Sequence, residues 1–238
     1  MMKKHIAVSI VGLLLSASLC GFAQQPFQAN INFVVGVPQN AFRENVDNNG
    51  YGVEGHFAYN LPNTPFLVGA SLSYLIYGSE TWQERLIQSV PVWVDVTTTN
   101  SIVMGHLMLR VQPPDGAFRP YLDGLVGFHL LTTDTKIDNE RGGYDDDIAS
   151  SNNSNDFTSS YGGGGGIMFR VYQTEGTEAT QNRSLSVYVD LGFRYLKGGK
   201  AQYLKEGSIK NENNDFIYDF NRSTTDIVTW HLGVGFGF

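Results

Sequence analysis

The sequence predicts an all-β fold, a transmembrane up-and-down antiparallel β-barrel of eight strands, and three observations predict it. Segment after segment separates at period two into an apolar set and a small or polar set. The connections between those segments alternate between short and long. The polar set mixes Gly, Ser and His with scattered charges of both signs and almost no lysine, which suits a crowded interior better than a solvated surface.

The chain opens with Lys3 and Lys4, an apolar stretch from Ile6 to Leu15, and small residues up to Gly21-Phe22-Ala23. This is the layout of a secretory signal peptide, expected to be cut after Ala23. A lipoprotein cut before Cys20 is the alternative, but Leu19 is bulky where a small residue is required. Cleavage after Ala23 leaves residues 24–238 as the barrel and removes the only cysteine, so no disulfide is expected. It also removes two of the 16 basic residues and none of the 23 acidic ones, taking the net charge from −7 to −9. So acidic a chain is a poor partner for nucleic acid. No later stretch reaches the roughly 18 consecutive apolar residues of a membrane helix.

The eight segments follow in order. The first places Phe27, Ala29, Ile31, Phe33, Val35 and Val37 on one face. The second places Tyr51, Val53, Phe57 and Tyr59 against Glu54, His56 and Asn60, and the third Phe66, Val68, Leu72, Tyr74 and Ile76 against Gly69, Ser71 and Ser73. The fourth is less tidy, with Val103, Leu107 and Leu109 opposing Met104, His106, Met108 and Arg110. The fifth sets Leu122, Val126, Phe128 and Leu130 against Tyr121, Asp123 and His129. In the sixth, "YGGGGGIMFRVY", Tyr161, Ile167, Phe169 and Val171 oppose Met168, Arg170 and Tyr172. The seventh sets Leu185, Val187, Val189, Leu191, Phe193 and Tyr195 against Ser186, Tyr188, Asp190 and Arg194, and the eighth runs from near Asp226 to Phe238. The apolar sets contain no charge, and His56, His106, His129 and His231 all fall on the other parity. A secreted β-sandwich or lipocalin-like barrel is the alternative, but its solvated face would be rich in Lys, Glu and Thr.

Connections two, four and six are short, whereas one, three, five and seven are longer polar loops expected on the outer side. Leu191→Arg is expected to be far worse than Gly192→Ser, because parity turns only Leu191 to lipid.

The row Trp230, Leu232, Val234, Phe236, Phe238 alternates with His231 and three glycines up to the final residue. The last strand of a barrel must pair with the first, or an open edge is left in lipid. This row is similar to the C-terminal assembly signal of Gram-negative outer-membrane proteins. In length, strand count and topology the chain resembles the small outer-membrane barrels of the outer membrane protein A and X type. The resemblance implies recognition of Phe238 and its row by the β-barrel assembly machinery, contact with outer-membrane lipid and lipopolysaccharide, and a location in the cell outer membrane.

Candidate chemistry is sparse. The glycine run is followed by an alternating "IMFRVY" rather than by a helix and a lysine, so a strand is expected there and not a phosphate loop. Inward glycines 162, 164 and 166 would make room for large neighbours. The four histidines lie on four strands, and packed interior histidines are expected rather than a metal site. "GGYDDDIASSNNSND" lacks the spacing of a calcium loop and is read as a solvated acidic loop, with Lys197, Lys200, Lys205 and Lys210 in the next loop able to attract it. No nucleophile elbow or HExxH is present, so no catalytic residue, cofactor or metal is expected.

The strongest candidate constellation is a charge network in the lumen. Arg110, Asp123, Arg170 and Asp190 lie on strands four to seven with inward parity and alternating sign, and an Arg–Asp–Arg–Asp ladder is expected to stiffen and plug the barrel. Glu54 and Arg194 share that parity. The expected role is structural or surface interaction by a monomer with long outer loops. A narrow passive pore and a lipid A-modifying enzyme are the alternatives.

Overall fold

Strands of alternating pattern satisfy their backbone groups only by pairing sideways, and here the pairing runs on until the last strand meets the first. A computed structural model of the protein describes residues 25–87, 90–139, 147–174, 185–212 and 215–238; the expected signal peptide lies outside them. The elements are β1 (Phe27–Pro38), α1 (Asn40–Asn45), β2 (Gly50–Asn60), β3 (Phe66–Ile87), β4 (Val90–Val111) and β5 (Phe118–Asn139). They continue with β6 (Asp147–Thr174), β7 (Leu185–Gly198), β8 (Lys200–Glu212), β9 (Asp215–Thr224) and β10 (Ile227–Gly237). Eight of them, β1 to β7 and β10, form one closed antiparallel up-and-down barrel, and β8 and β9 form a separate hairpin.

The closing seam runs Ile31 opposite Val234 and Val35 opposite Trp230. It ends in two reciprocal backbone bonds of 3.0 Å between Phe27 and Phe238. The Phe238 ring lies 6.0 Å from that of Phe27, so the aromatic row closes the seam on its outer face as well.

Parity sorts the barrel wall into two environments. Ile31, Val53, Leu72, Leu107, Val126, Leu191 and Leu232 face outward and are exposed. At the short-turn end this band is bordered by Phe27, Tyr59, Phe66, Phe118, Phe169 and Phe238, and toward the other end by Tyr51, Tyr74, Tyr161, Tyr195 and Trp230. A continuous apolar belt between two aromatic girdles would be insoluble in water and is what a bilayer solvates. The strands therefore span a membrane.

Inward positions are packed. A methyl group placed on Gly192 would lie 2.5 Å from Tyr121 Oη and 2.7 Å from His231 Nε2, and one on Gly164 would lie 2.7 Å from Arg194 Cγ. The glycines are cavities already filled by their neighbours' large side chains. Gly192→Ser is therefore not the mild change that parity alone suggests.

The long connections differ from the polar loops expected. A tilted crossing needs about 9–11 residues. Yet β3, β4 and β5 each run 22 residues and β6 runs 28. Beyond the belt they stay paired, with Glu80 opposite Thr98, Thr98 opposite Thr135 and Thr133 opposite Ser154. Beyond the belt the inward face stays buried at Val96, Thr98, Asn100 and Thr133, but most residues on both faces are polar, so the period-two contrast fades from the sequence while the backbone remains extended. Asp147, expected in an acidic loop, opens β6; Asp145 and Asp146 lie outside the described residues. The last long connection holds the β8–β9 hairpin, tied to β6 where Gln202 N–H donates to Asp156 Oδ2 at 2.6 Å. The first holds α1, which drives Phe42, fully buried, between the rings of Tyr77 and Tyr203 at centroid distances of 5.8 and 5.4 Å.

Candidate functional site: a charge network that fills the lumen

Arg110 on β4 and Asp123 on β5 are direct cross-strand partners. Their side chains form a fork, with Arg110 Nε donating to Asp123 Oδ1 at 2.7 Å and Nη2 to Oδ2 at 2.9 Å. Arg194 reaches across from β7, donating from Nη2 to the same Asp123 Oδ2 at 3.2 Å and from Nη1 to Glu54 Oε2 on β2. Asn32 Nδ2 donates to the other Glu54 oxygen at 3.2 Å. The order is thus Arg110–Asp123–Arg194–Glu54, all four buried. Charge-assisted, bidentate pairs of this kind are the strong ones, provided no member is left alone.

Asp190, on β7, does not join the arginines directly. It accepts from Tyr121 Oη and from Asn30 Nδ2, both at 2.7 Å. The Tyr121 hydroxyl also meets His231 Nε2 at 2.8 Å, and Arg110 Cζ lies 3.7 Å above the Tyr121 ring. Tyr121 therefore links the two carboxylate sites. A further guanidinium, Arg119, closes the short-turn end by donating to the Pro113 carbonyl at 3.0 Å. Three buried arginines, Arg110, Arg119 and Arg194, stand against the buried carboxylates Glu54, Asp123 and Asp190, and a fourth buried carboxylate, Asp226, accepts from Asn40 Nδ2 and Gly198 N–H instead.

Arg170 stands apart, which corrects the expected ladder. Nη1 pairs at 2.9 Å with Asp115 in the adjoining turn, and the side chain is partly exposed. The register shift between Arg170 and Tyr172 sits at the strand end, where the chain leaves the regular ladder. Parity placed Arg170 inward, but its height puts it at the rim. Sequence reasoning also missed Asn30, Asn32 and Arg119; the inward parity of β1 and β5 was the signal that could have found them.

The histidines are packed, and three of the four are hydrogen-bonded. His106 Nε2 meets Ser160 Oγ at 3.0 Å, Ser160 Oγ meets His129 Nε2 at 2.8 Å, and His129 Nδ1 meets Thr225 Oγ1 at 3.1 Å. Among the described residues no three His, Cys, Asp or Glu side chains converge as a metal site would require. Lumen residues at successive heights, Met168, Asp190, Arg110, Leu75 and Phe42, have no contact with solvent.

No family model matches the sequence. No curated protein matches it either. Among solved structures, the chain is similar to Ail, the attachment invasion locus protein of Yersinia pestis, in complex with the heparin analogue sucrose octasulfate. That match has 14% identity, covers 90% of this chain and 97% of that one, and has a TM-score of 0.40. Neisserial surface protein A matches at 12% identity over 88% and 93% of the two chains, TM-score 0.35. A major outer membrane protein from Thermus thermophilus matches at 11% identity over 88% and 99%, TM-score 0.32. The barrel assignment rests on the strand pairing itself.

Proposed function

We propose that the protein is a bacterial outer-membrane barrel that works through its surface, in a structural or surface-interaction role, and performs no chemical step. The observation that carries this reading is the burial of Arg110, Asp123, Arg194 and Glu54 against one another. None of these charges is free to bind, transport or react. What remains available is the apolar belt for lipid and the β3–β6 ribbons with the β8–β9 hairpin beyond it. In this reading residues 1–23 direct export, and both barrel termini lie in the periplasm with the short turns. The ribbons then face outward, with lipopolysaccharide as their nearest neighbour. The row Trp230, Leu232, Val234, Phe236, Phe238 serves recognition by the assembly machinery, and a wall without open edges suits a monomer.

One observation favours a narrow passive pore as a second reading. The lumen holds buried polar atoms with no hydrogen-bond partner among the described residues, including both ring nitrogens of His56, His231 Nδ1 and Asn32 Oδ1. Single waters at such sites would satisfy them, but conduction requires a continuous file. The protein is expected to fractionate with outer membranes and to need detergent for extraction, and once purified to produce no conductance steps in planar bilayers. Recovery in a soluble fraction would overturn the membrane reading, and reproducible unit conductance would put the pore first.

A further inference from the structure

A cleft of about 460 Å³ opens on the barrel's flank where β3 outruns β2. The two strands pair only as far as Tyr51 opposite Ile76, after which β3 shifts register and continues with β4 alone. The step left beside β3 is walled on its other side by α1 and the segment that descends from it. Tyr51 and Ile76, both exposed on the lipid-facing parity, line the cleft toward the belt. Arg43, Asp47, Asn49 and Ser79 line it above. The wall is held in place. Phe42 wedges α1 into the barrel mouth, Gln39 N–H donates to the Asp226 carbonyl at 2.8 Å, and Asn40 Nδ2 donates to the Asp226 carboxylate at 2.7 Å. Arg43 Nη1 donates to Asn49 Oδ1 at 3.3 Å, tying α1 to the segment that descends from it.

We infer that this cleft binds the saccharide headgroup of a membrane glycolipid. The lining decides between headgroup chemistries. A phosphate alone would gain from Arg43 but would be repelled by Asp47 on the same wall. A sugar ring needs both kinds of group. Its hydroxyls donate to a carboxylate and a carboxamide oxygen, accept from a guanidinium and a hydroxyl, and its C–H face rests on an aromatic ring. Arg43, Asp47, Asn49 and Ser79 supply the polar half, and Tyr51 supplies the ring. The lower half of the lining is continuous with the belt, so the occupant that uses the whole cleft carries acyl chains beside its sugar. A free oligosaccharide would use only the upper half.

The proposal rests on the reading that the barrel sits in a bilayer, and the test separates the two. The full chain is reconstituted in phosphatidylcholine nanodiscs doped with a short-core lipopolysaccharide, with phosphatidylglycerol, or with neither. Lipid retained on detergent release is counted by native mass spectrometry. The wild type is expected to retain lipopolysaccharide, and Asp47→Asn or Arg43→Gln to retain about tenfold less, the factor that loss of one good polar contact makes. Both positions are exposed, and heat-modifiable gel mobility checks that each variant is folded. Phosphatidylglycerol retained equally well would show that charge alone attracts the lipid and overturn the proposal. So would the deacylated core oligosaccharide binding as tightly as the glycolipid, or variants that retain as much as the wild type. Failure of the wild type to enter nanodiscs at all would instead sink the bilayer reading.

Discussion

Asp123→Ala is expected to destabilise the barrel by about 3–5 kcal/mol, the cost typical of breaking a buried ion pair. The substitution removes the anion shared by Arg110 and Arg194, and both guanidinium groups are too deeply buried to find water. Adding Arg110→Met should recover part of the loss, because the cation most dependent on Asp123 is then gone. Arg170→Met should recover none of it, since Arg170 pairs with Asp115 at the rim. A double-mutant cycle followed by urea unfolding in lipid vesicles reads the coupling directly. A coupling of zero between positions 110 and 123 would mean that the charges are hydrated separately, and the pore reading would gain accordingly.

Leu191→Arg is expected to lose about 2–4 kcal/mol for placing a charge near the bilayer midplane. Leu191 faces lipid between Leu232 and Ile167, its partners on the two adjoining strands, so no acidic neighbour stands beside it to help. Gly192→Ser, one residue on, is also expected to be poorly tolerated, through collision with Tyr121 and His231 rather than through desolvation. The two failures are distinguishable. Leu191→Arg should lower the fraction inserted into vesicles, whereas Gly192→Ser should insert and then unfold at lower urea. Thr229→Ser, a smaller inward change on β10, should do neither. Normal insertion of Leu191→Arg would mean that the strand faces are assigned the wrong way round.

The transmembrane part of this fold was legible because lipid imposes a contrast at every second residue. Ile31, Leu107 and Leu191 could be placed outside, and Glu54, Asp123 and Asp190 inside, from parity alone. Parity gives direction but neither height nor reach. It could not tell that Arg170 stops at the turn, or that the side chain of Arg194 crosses the lumen to bring together Asp123 and Glu54 from strands that are not neighbours. The ribbons escaped for the complementary reason. Thr97, Thr98 and Thr99 lie in a strand with polar residues on both sides, so no contrast marks it as one. The cleft beside Arg43 depends on where β2 stops relative to β3, a difference in strand length that no periodicity records.

The pairing order also bears on how such a wall can be assembled. Six of the eight seams join strands that follow one another in the chain, so each can form as a hairpin from residues close in sequence. A seventh, between β7 and β10, is bridged by the β8–β9 hairpin, which folds back on itself and shortens the span. The eighth is different in kind, because β1 and β10 stand at opposite ends of the barrel sequence. Closing it costs the loop entropy of the whole domain until the intervening strands have brought the ends together. The wall can therefore grow as a curling sheet, one hairpin after another, and seal last at the seam where Phe27 and Phe238 exchange their backbone bonds.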